Sequence, residues 1–521
     1  MSGQGNNTEI AIIGSGAAGC YFAAKLAASG YKVNVFEAGP ARTIHDLASS
    51  QIWARRLKWA GPFVESEGAP RFGHNLNMGW GFGGAALHHY AQWPRLMESD
   101  FKNASLYGRG LDWPLEYNDL QLHYDEIQAE VGISGDASQE AHRGPGADYP
   151  MPPLKTFAGG RIVAKGFEKL GNHVFPTPIA ATSVLYKNRP PCIYDGWCDA
   201  GCPIGSLANP LVTYLPEAEK AGAQFHPNCD VRYFETDQDG RVNALVYSDP
   251  EGRLNRVGAQ TFVLAAGAIH NVRLLLSSQG RNGSALGNEN DLVGKYFGSH
   301  FIANTHGVFE EETEPYMGLS TGALMSYDRW APDTDNPFGT VAWGIGPAVK
   351  PNDFMGIAIA KSELFGQALD AFMRKATHHI ALANGICETE FIRESRIELT
   401  GEKDAQGRPV ARMVYKASDE AFAMWRNAIE KGVAAMRAAG AEDAWASSNP
   451  AIAHALGGTI MGDDPALSVT DSYGRLHSAP NLVVAGSSLF PSGGAAGPTF
   501  TILALARRTV LKLLDEPEAF Q

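Results

Sequence analysis

The stretch EIAIIGSGAAGCYFAAKLAASGYKVNVFEAG near the N-terminus restricts the possible folds more than any other. A short apolar strand, Ile10 to Ile13, runs into Gly14-Ser15-Gly16-Ala17-Ala18-Gly19. An Ala-rich helix follows, and then a second strand from Lys32 to Phe36 that ends at Glu37. The first two glycines permit a tight turn and close approach of a pyrophosphate to the helix N-terminus, with Ala17 and Ala18 in the same cradle; the third lets the helix pack on the strand. Glu37, at the strand tip, is placed to accept hydrogen bonds from ribose hydroxyls. An acid there disfavours a 2′-phosphate and leaves NAD and FAD both open.

Two later stretches choose between them. TFVLAAGAIHNVRLLLSS sets an apolar strand before Ala265-Ala266-Gly267-Ala268 and a helix after it. The apolar run Asn481 to Ala485 is followed by Gly486-Ser487 and, after GGAAG, by Pro498 and a helix from about Thr499. A chain that returns to one nucleotide site from positions 14, 267 and 486 implies an extended FAD lying across the sheet, with Val231 among the residues that hold it. In NMGWGFGGAALHHYAQWPRL, the glycines and alanines around Gly83-Gly84 form a backbone that can press against a flat ring. His88 and His89 follow, either at that ring or on a surface loop.

These signals sit in a globular chain of 521 residues, 44% hydrophobic and 19% charged. Such a composition supports a large core. The expected fold is α/β, an interrupted Rossmann-like FAD-binding domain (1–105, 190–305 and 440–521) with a second α+β substrate-binding domain (106–189 and 306–439). A net charge of -13, with 43 basic residues dispersed among 56 acids, excludes a nucleic-acid binder. There is no apolar run of about 18 residues, so no transmembrane segment is expected. MSGQGNNTEI has neither the basic nor the apolar part of a signal peptide. The expected location is cytoplasmic, or periplasmic only if a partner subunit carries the chain there.

Six cysteines are too few for a disulfide scaffold. Three of them, Cys192, Cys198 and Cys202, fall in a Gly-, Pro- and Asp-rich loop with the spacing C-x5-C-x3-C-P. Thiolates this close can ligate a cluster, and a triple lacks the fourth ligand of a structural zinc site. Alternatively they are small buried apolar side chains, as Cys20, Cys229 and Cys387 are read to be. His300, His306, Trp330 and Trp343 either line a substrate pocket or fill core.

The N-terminal nucleotide motif, the Gly83-Gly84 loop, DWPLEYNDLQLHYDEIQAEVGISG, LAAGAIHNVRLLL and the C-terminal HALGGTIMG and NLVVAGSSLFPSGGAAGPTFTILALA come in one order over nearly the whole chain. Together they resemble the glucose-methanol-choline (GMC) oxidoreductase family. The resemblance implies bound FAD and oxidation of a primary or secondary alcohol, sugar, glycoside or polyol, with hydride passing from carbon to flavin N5. It carries Gly14, Gly16, Gly19 and Glu37 onto the FAD motif. His88 falls where several members attach the flavin covalently. His454 falls on the active-site histidine, whose imidazole suits removal of the hydroxyl proton as hydride leaves.

Where the family commonly has asparagine or histidine before Pro-Thr, this chain has Gly497 before Pro498-Thr499. Proline suits the first turn of a helix, and amide groups at that helix start would stabilise negative charge on a reduced flavin. Three options follow for the missing partner: another residue binds the alcohol oxygen, His454 acts alone, or the reaction is not ordinary alcohol oxidation. The cysteine spacing resembles the glucose, gluconate and fructose dehydrogenase subgroup, which implies a 3Fe-4S cluster, a cytochrome or other electron acceptor, and a small partner subunit. Without a cluster, oxygen is the alternative acceptor. A non-oxidative lyase or decarboxylase on the same scaffold is the rival reaction.

Overall fold

Val33–Phe36 and the apolar ends of Thr8–Ile13, Leu254–Leu264 and Ala479–Val484 are buried almost without interruption. Strands covered on both faces have this pattern. In the computed structural model, which describes residues 8–330 and 339–521, they form the parallel centre of one sheet. Its order is Arg475–Leu476, Ala479–Val484, Leu254–Leu264, Thr8–Ile13, Val33–Phe36, Gln224–His226, antiparallel only at the first pairing. An antiparallel ribbon, Asp230–Thr236 with Val242–Ser248, extends from the N-terminal half of Leu254–Leu264.

Parallel neighbours need crossover connections, so their carboxyl ends gather on one edge of the sheet. Ala265 N–H donates to Ile13 O and Ala485 N–H to Leu264 O, each at 2.8 Å, so the pairing runs to the first residue of each turn. Asn271 ties two of these turns together: its Oδ1 accepts from Ala266 N–H, while its Nδ2 donates to Ala485 O and to Ser488 Oγ. The helix Ala17–Ala28, rich in alanine, lies against Tyr214–Lys220 and Thr499–Asp515. The expected α/β fold with a Rossmann-like nucleotide domain is what the chain adopts.

A second, antiparallel sheet runs Asp443–Ala446, Gly298–Val308, Ile380–Cys387, Gly339–Ile345, Leu324–Trp330, Val174–Pro176, and Ala451–Leu456 also pairs with Gly298–Val308. The helix Asp419–Ala438 packs on Gly298–Val308 and on the helix Ala158–Lys169. A small third sheet joins Glu65–Ala69 to the hairpin Arg396–Lys403 and Pro409–Lys416.

The expected segment boundaries divide the chain differently from these pairings. The one at 305 cuts the strand Gly298–Val308, which is hydrogen-bonded to Ile380–Cys387 from Val308 to Phe301 without a break. Residues 443–446 and 451–456 also pair with that strand, in the antiparallel sheet. Conversely, the helix Tyr117–Val131 packs on Thr499–Asp515 of the nucleotide side.

Candidate active site

A cavity of about 570 Å³ opens where the carboxyl ends of the parallel sheet face the antiparallel one. Open α/β sheets bind ligands at this edge, and the volume lies within the usual range for a small-molecule site.

On the nucleotide side the cavity is lined by Gly14, Gly16, Ala17, Ala18 and Glu37, by Val231, Ala266 and Gly267, and by Gly486 and Ser487. Gly14 has φ +96, and a Cβ there would lie 2.5 Å from Ala265 O. A Cβ at Gly16 or Gly486 would meet no protein atom within 4 Å, so at both positions the backbone leaves a cradle beside the cavity. Gly19 does not line it; its missing side chain lets the helix sit on Gly14 O. Glu37 is more engaged than the sequence implies. Its Oε1 accepts from Gly39 and Gly81 N–H, and its Oε2 from Ser15 N–H and Oγ–H, all at 2.9–3.0 Å. His270, buried beside Trp80, has both ring nitrogens without a hydrogen-bond partner among the described residues.

The second group of cavity residues comes from the Gly-rich loop. Gly84 and His88 line the cavity, whereas Gly83 supports the loop from behind: it has φ +89 and its N–H donates to Ser15 O. His88 is buried and its Nε2 has no partner among the described residues. Burial, and then the nearby Lys58 charge, pull its pKa down to about 3, so the ring is neutral. His89 is fully occupied: Nε2 donates to Ala208 O at 2.8 Å, and Nδ1 accepts from Ala91 and Trp93.

His454 enters from the opposite sheet on a β-bulge. Ala453 pairs with His300 and Leu456 with Gly298, three steps against two, so one extra residue is accommodated. His454 takes it up with φ +71, a left-handed conformation costing of order 1–3 kcal/mol for a side-chain residue. Its Nδ1 lies 2.8 Å from His300 Nδ1, and His300 Nε2 lies 2.8 Å from Gly494 O. A carbonyl only accepts, so His300 carries its proton on Nε2 and presents a lone pair at Nδ1. His454 therefore donates from Nδ1, and its Nε2 is left as a bare acceptor. Burial, followed by repulsion from His300, lowers the His454 pKa to about 3; burial lowers His300 to about 4. Both rings are neutral at physiological pH.

The C-terminal turn explains part of this arrangement. A Cβ at Gly493 would lie 2.8 Å from His300 Nε2, and one at Gly494 would lie 2.5 Å from Asp100 Oδ2. The glycine pair makes room for the ring behind His454 and for a buried carboxylate. Gly497, Pro498 and Thr499 line the cavity at the start of the helix Thr499–Asp515. Of the other aromatics and histidines, Trp343 is wholly buried with Nε1 donating to Asp328, and His306 stacks on Trp445. They are core. The side chain of Trp330 lies outside the described residues.

Cys192, Cys198 and Cys202 do not line the cavity, but they share an apolar cluster with Ala91, which does. Tyr194 N–H points at Cys192 Sγ (3.3 Å) and Leu207 N–H at Cys202 Sγ (3.4 Å). Burial pushes Cys192 up to about 12 and Cys198 up to about 11. Among the described residues no three His, Cys, Asp or Glu side chains are grouped to hold a metal ion, and no helix is long and apolar enough to cross a membrane. Cys229 is buried in the main core, as expected, and also borders the cavity.

Sequence reasoning passed over the amides Gln92, Asn304 and Asn384 and the hydroxyl of Thr321, all on this wall. They come from one loop and three strand or strand-flanking segments, with no motif linking them.

Two family models described as GMC oxidoreductase match residues 161–302 and 392–506, and one described as an NAD(P)-binding Rossmann-like domain matches 12–44. The chain is 30% identical to 2-methyl-1,2-propanediol dehydrogenase of Mycolicibacterium austroafricanum, over 98% of this chain and 95% of that protein. It is 29% identical to the fructose dehydrogenase large subunit of Gluconobacter japonicus, over 99% of both. The solved structure of pyridoxine 4-oxidase from Mesorbium loti has the same fold, with a TM-score of 0.65 at 17% identity, covering 98% of this chain and 99% of that one. With these matches added to the geometry, the chain belongs to the GMC oxidoreductase family and is an FAD-dependent oxidoreductase acting on CH–OH groups.

Proposed function

We propose that this protein oxidises a primary or secondary alcohol of a sugar or similar polyol, with His454 as the base. The observation that carries the reading is the hydrogen-bond chain Gly494 O, His300, His454, which leaves Nε2 of His454 bare at the cavity. A neutral imidazole so placed accepts the hydroxyl proton, and His300 Nδ1 turns its lone pair toward the charge that results. FAD, when bound, supplies the hydride acceptor. The cradle at Gly16 and Gly486 and the unpartnered nitrogens of His88 and His270 fit such a cofactor. In this reading Gly14, Gly16, Ala17 and Ala18 hold the pyrophosphate, Glu37 the ribose, and the Gly497 to Thr499 turn the reactive ring. The test is an assay of 2-methyl-1,2-propanediol, D-fructose and D-gluconate with a dye acceptor. A carbonyl product formed with dye reduction supports oxidation; release of CO₂ or an elimination product without it points to a lyase.

His88, neutral and with Nε2 free, is the proposed covalent tether to the flavin. Acid denaturation is then expected to leave colour in the wild-type pellet and release it from His88→Ala. Yellow supernatant from the wild type removes the tether.

Cys192, Cys198 and Cys202 are proposed as ligands of a 3Fe-4S cluster, which would supply a one-electron carrier toward a cytochrome or similar acceptor. Support comes from backbone N–H groups aimed at two of the three sulfurs. The buried thiols would release protons on binding it. The relative named a large subunit supports a partner subunit. Cys198→Ser is expected to lose the protein's iron while FAD stays bound; wild type purified without air and free of iron would make the three cysteines structural.

A further inference from the structure

Alcohol oxidation develops negative charge on the substrate oxygen as its proton leaves, and a site that carries a base but no donor for that oxygen leaves the charge unsupported. Gly497 has no side chain to offer. The space beside it is taken by the neighbouring loop: a Cβ at 497 would lie 2.9 Å from the backbone oxygen of Gln92. Gln92 is buried and lines the cavity that His454 enters. Its Oε1 accepts from Thr321 Oγ–H at 2.8 Å, which fixes the amide plane. Its Nε2 is buried without a hydrogen-bond partner among the described residues. A buried amide N–H with no acceptor carries a free-energy cost. That cost is relieved by an oxygen in the cavity.

We propose that Gln92 is a catalytic residue that binds the substrate oxygen: Nε2–H donates to the hydroxyl in the bound alcohol and more strongly to the alkoxide as His454 Nε2 takes the proton. Thr321 holds the amide by its oxygen, which leaves the nitrogen as the group still to be paired. The inference rests on the oxidation reading above and answers which group stands in for a side chain at 497.

The experiment is anaerobic stopped-flow reduction of the flavin-loaded protein by 2-methyl-1,2-propanediol, D-fructose and D-gluconate, from pH 5 to 8. Gln92→Ala is expected to retain flavin with an unchanged spectrum and to be reduced roughly 100-fold more slowly. Gln92→Glu keeps the shape but donates only when protonated, so its rate is expected to rise as pH is lowered across this window, where the wild-type rate is expected to stay level. A merely structural role produces no such pH-dependent rescue. Wild-type rates in Gln92→Ala, or a flat profile in Gln92→Glu, overturn the assignment while leaving oxidation standing. A wild type that none of the three bleaches overturns the oxidation reading and the assignment with it.

Discussion

Flavin reduction by alcohol is expected to slow by roughly 100- to 10,000-fold in His454→Ala, with flavin still bound. The ring reaches the cavity through a bulge and a left-handed backbone, and its proton position is dictated by a carbonyl two hydrogen bonds away. Alanine removes the acceptor without disturbing the glycine-lined wall on the opposite sheet. The pH dependence follows from the same burial. With the imidazole pKa lowered to about 3, the neutral form that accepts a proton is present above that value and is lost as pH falls through it. The wild-type rate is therefore expected to be level from pH 5 to 8 and to fall toward pH 3–4. Stopped-flow absorbance at the flavin band measures both. A near-normal rate in His454→Ala would move the base elsewhere.

Gly19→Ala is expected to cost about 3 kcal/mol or more, the upper end for overpacking, and to strip FAD from the protein. The added Cβ would lie 1.9 Å from Gly14 O. Its neighbour is backbone, with no rotamer to move, and the displaced carbonyl belongs to the turn on which the pyrophosphate is proposed to rest. Helix and turn must separate. Gly73→Ala is the control, because its Cβ would meet nothing within 4 Å. Thermal unfolding and flavin retained after gel filtration report the two effects. If Gly19→Ala holds flavin and melts with Gly73→Ala, the close packing is not what shapes the turn.

Much of the nucleotide half was legible because its determinants are local. Each return to the site is a strand, a turn and a helix within about thirty residues, and each glycine is needed by its own turn. The three returns prove to be adjacent strands, Thr8–Ile13, Leu254–Leu264 and Ala479–Val484, as a shared nucleotide requires. The substrate side was less legible because strand register decides it. His300 reaches His454 only because two strands 154 residues apart pair with a bulge between them. Nothing near either histidine in sequence records that pairing. Gln92 carries no motif; its significance lies in an amide whose oxygen is satisfied 229 residues away and whose nitrogen is not. The boundaries at 305 and 440 fall where they do for the same reason: composition does not change along a strand that the chain later extends from elsewhere. The pair Gly493-Gly494 clears space for His300 and Asp100, partners that nothing local to the two glycines records.

The most direct test of the central claim is a single anaerobic turnover: flavin-loaded protein mixed with an excess of diol or sugar, with bleaching of the flavin band compared with carbonyl formed. Oxidation predicts one carbonyl per flavin bleached when FAD is the sole acceptor, more by the electrons held if the three cysteines carry a cluster, and neither in His454→Ala on the same timescale. Product formed while the flavin band stays unchanged, or bleaching without any carbonyl, would contradict it.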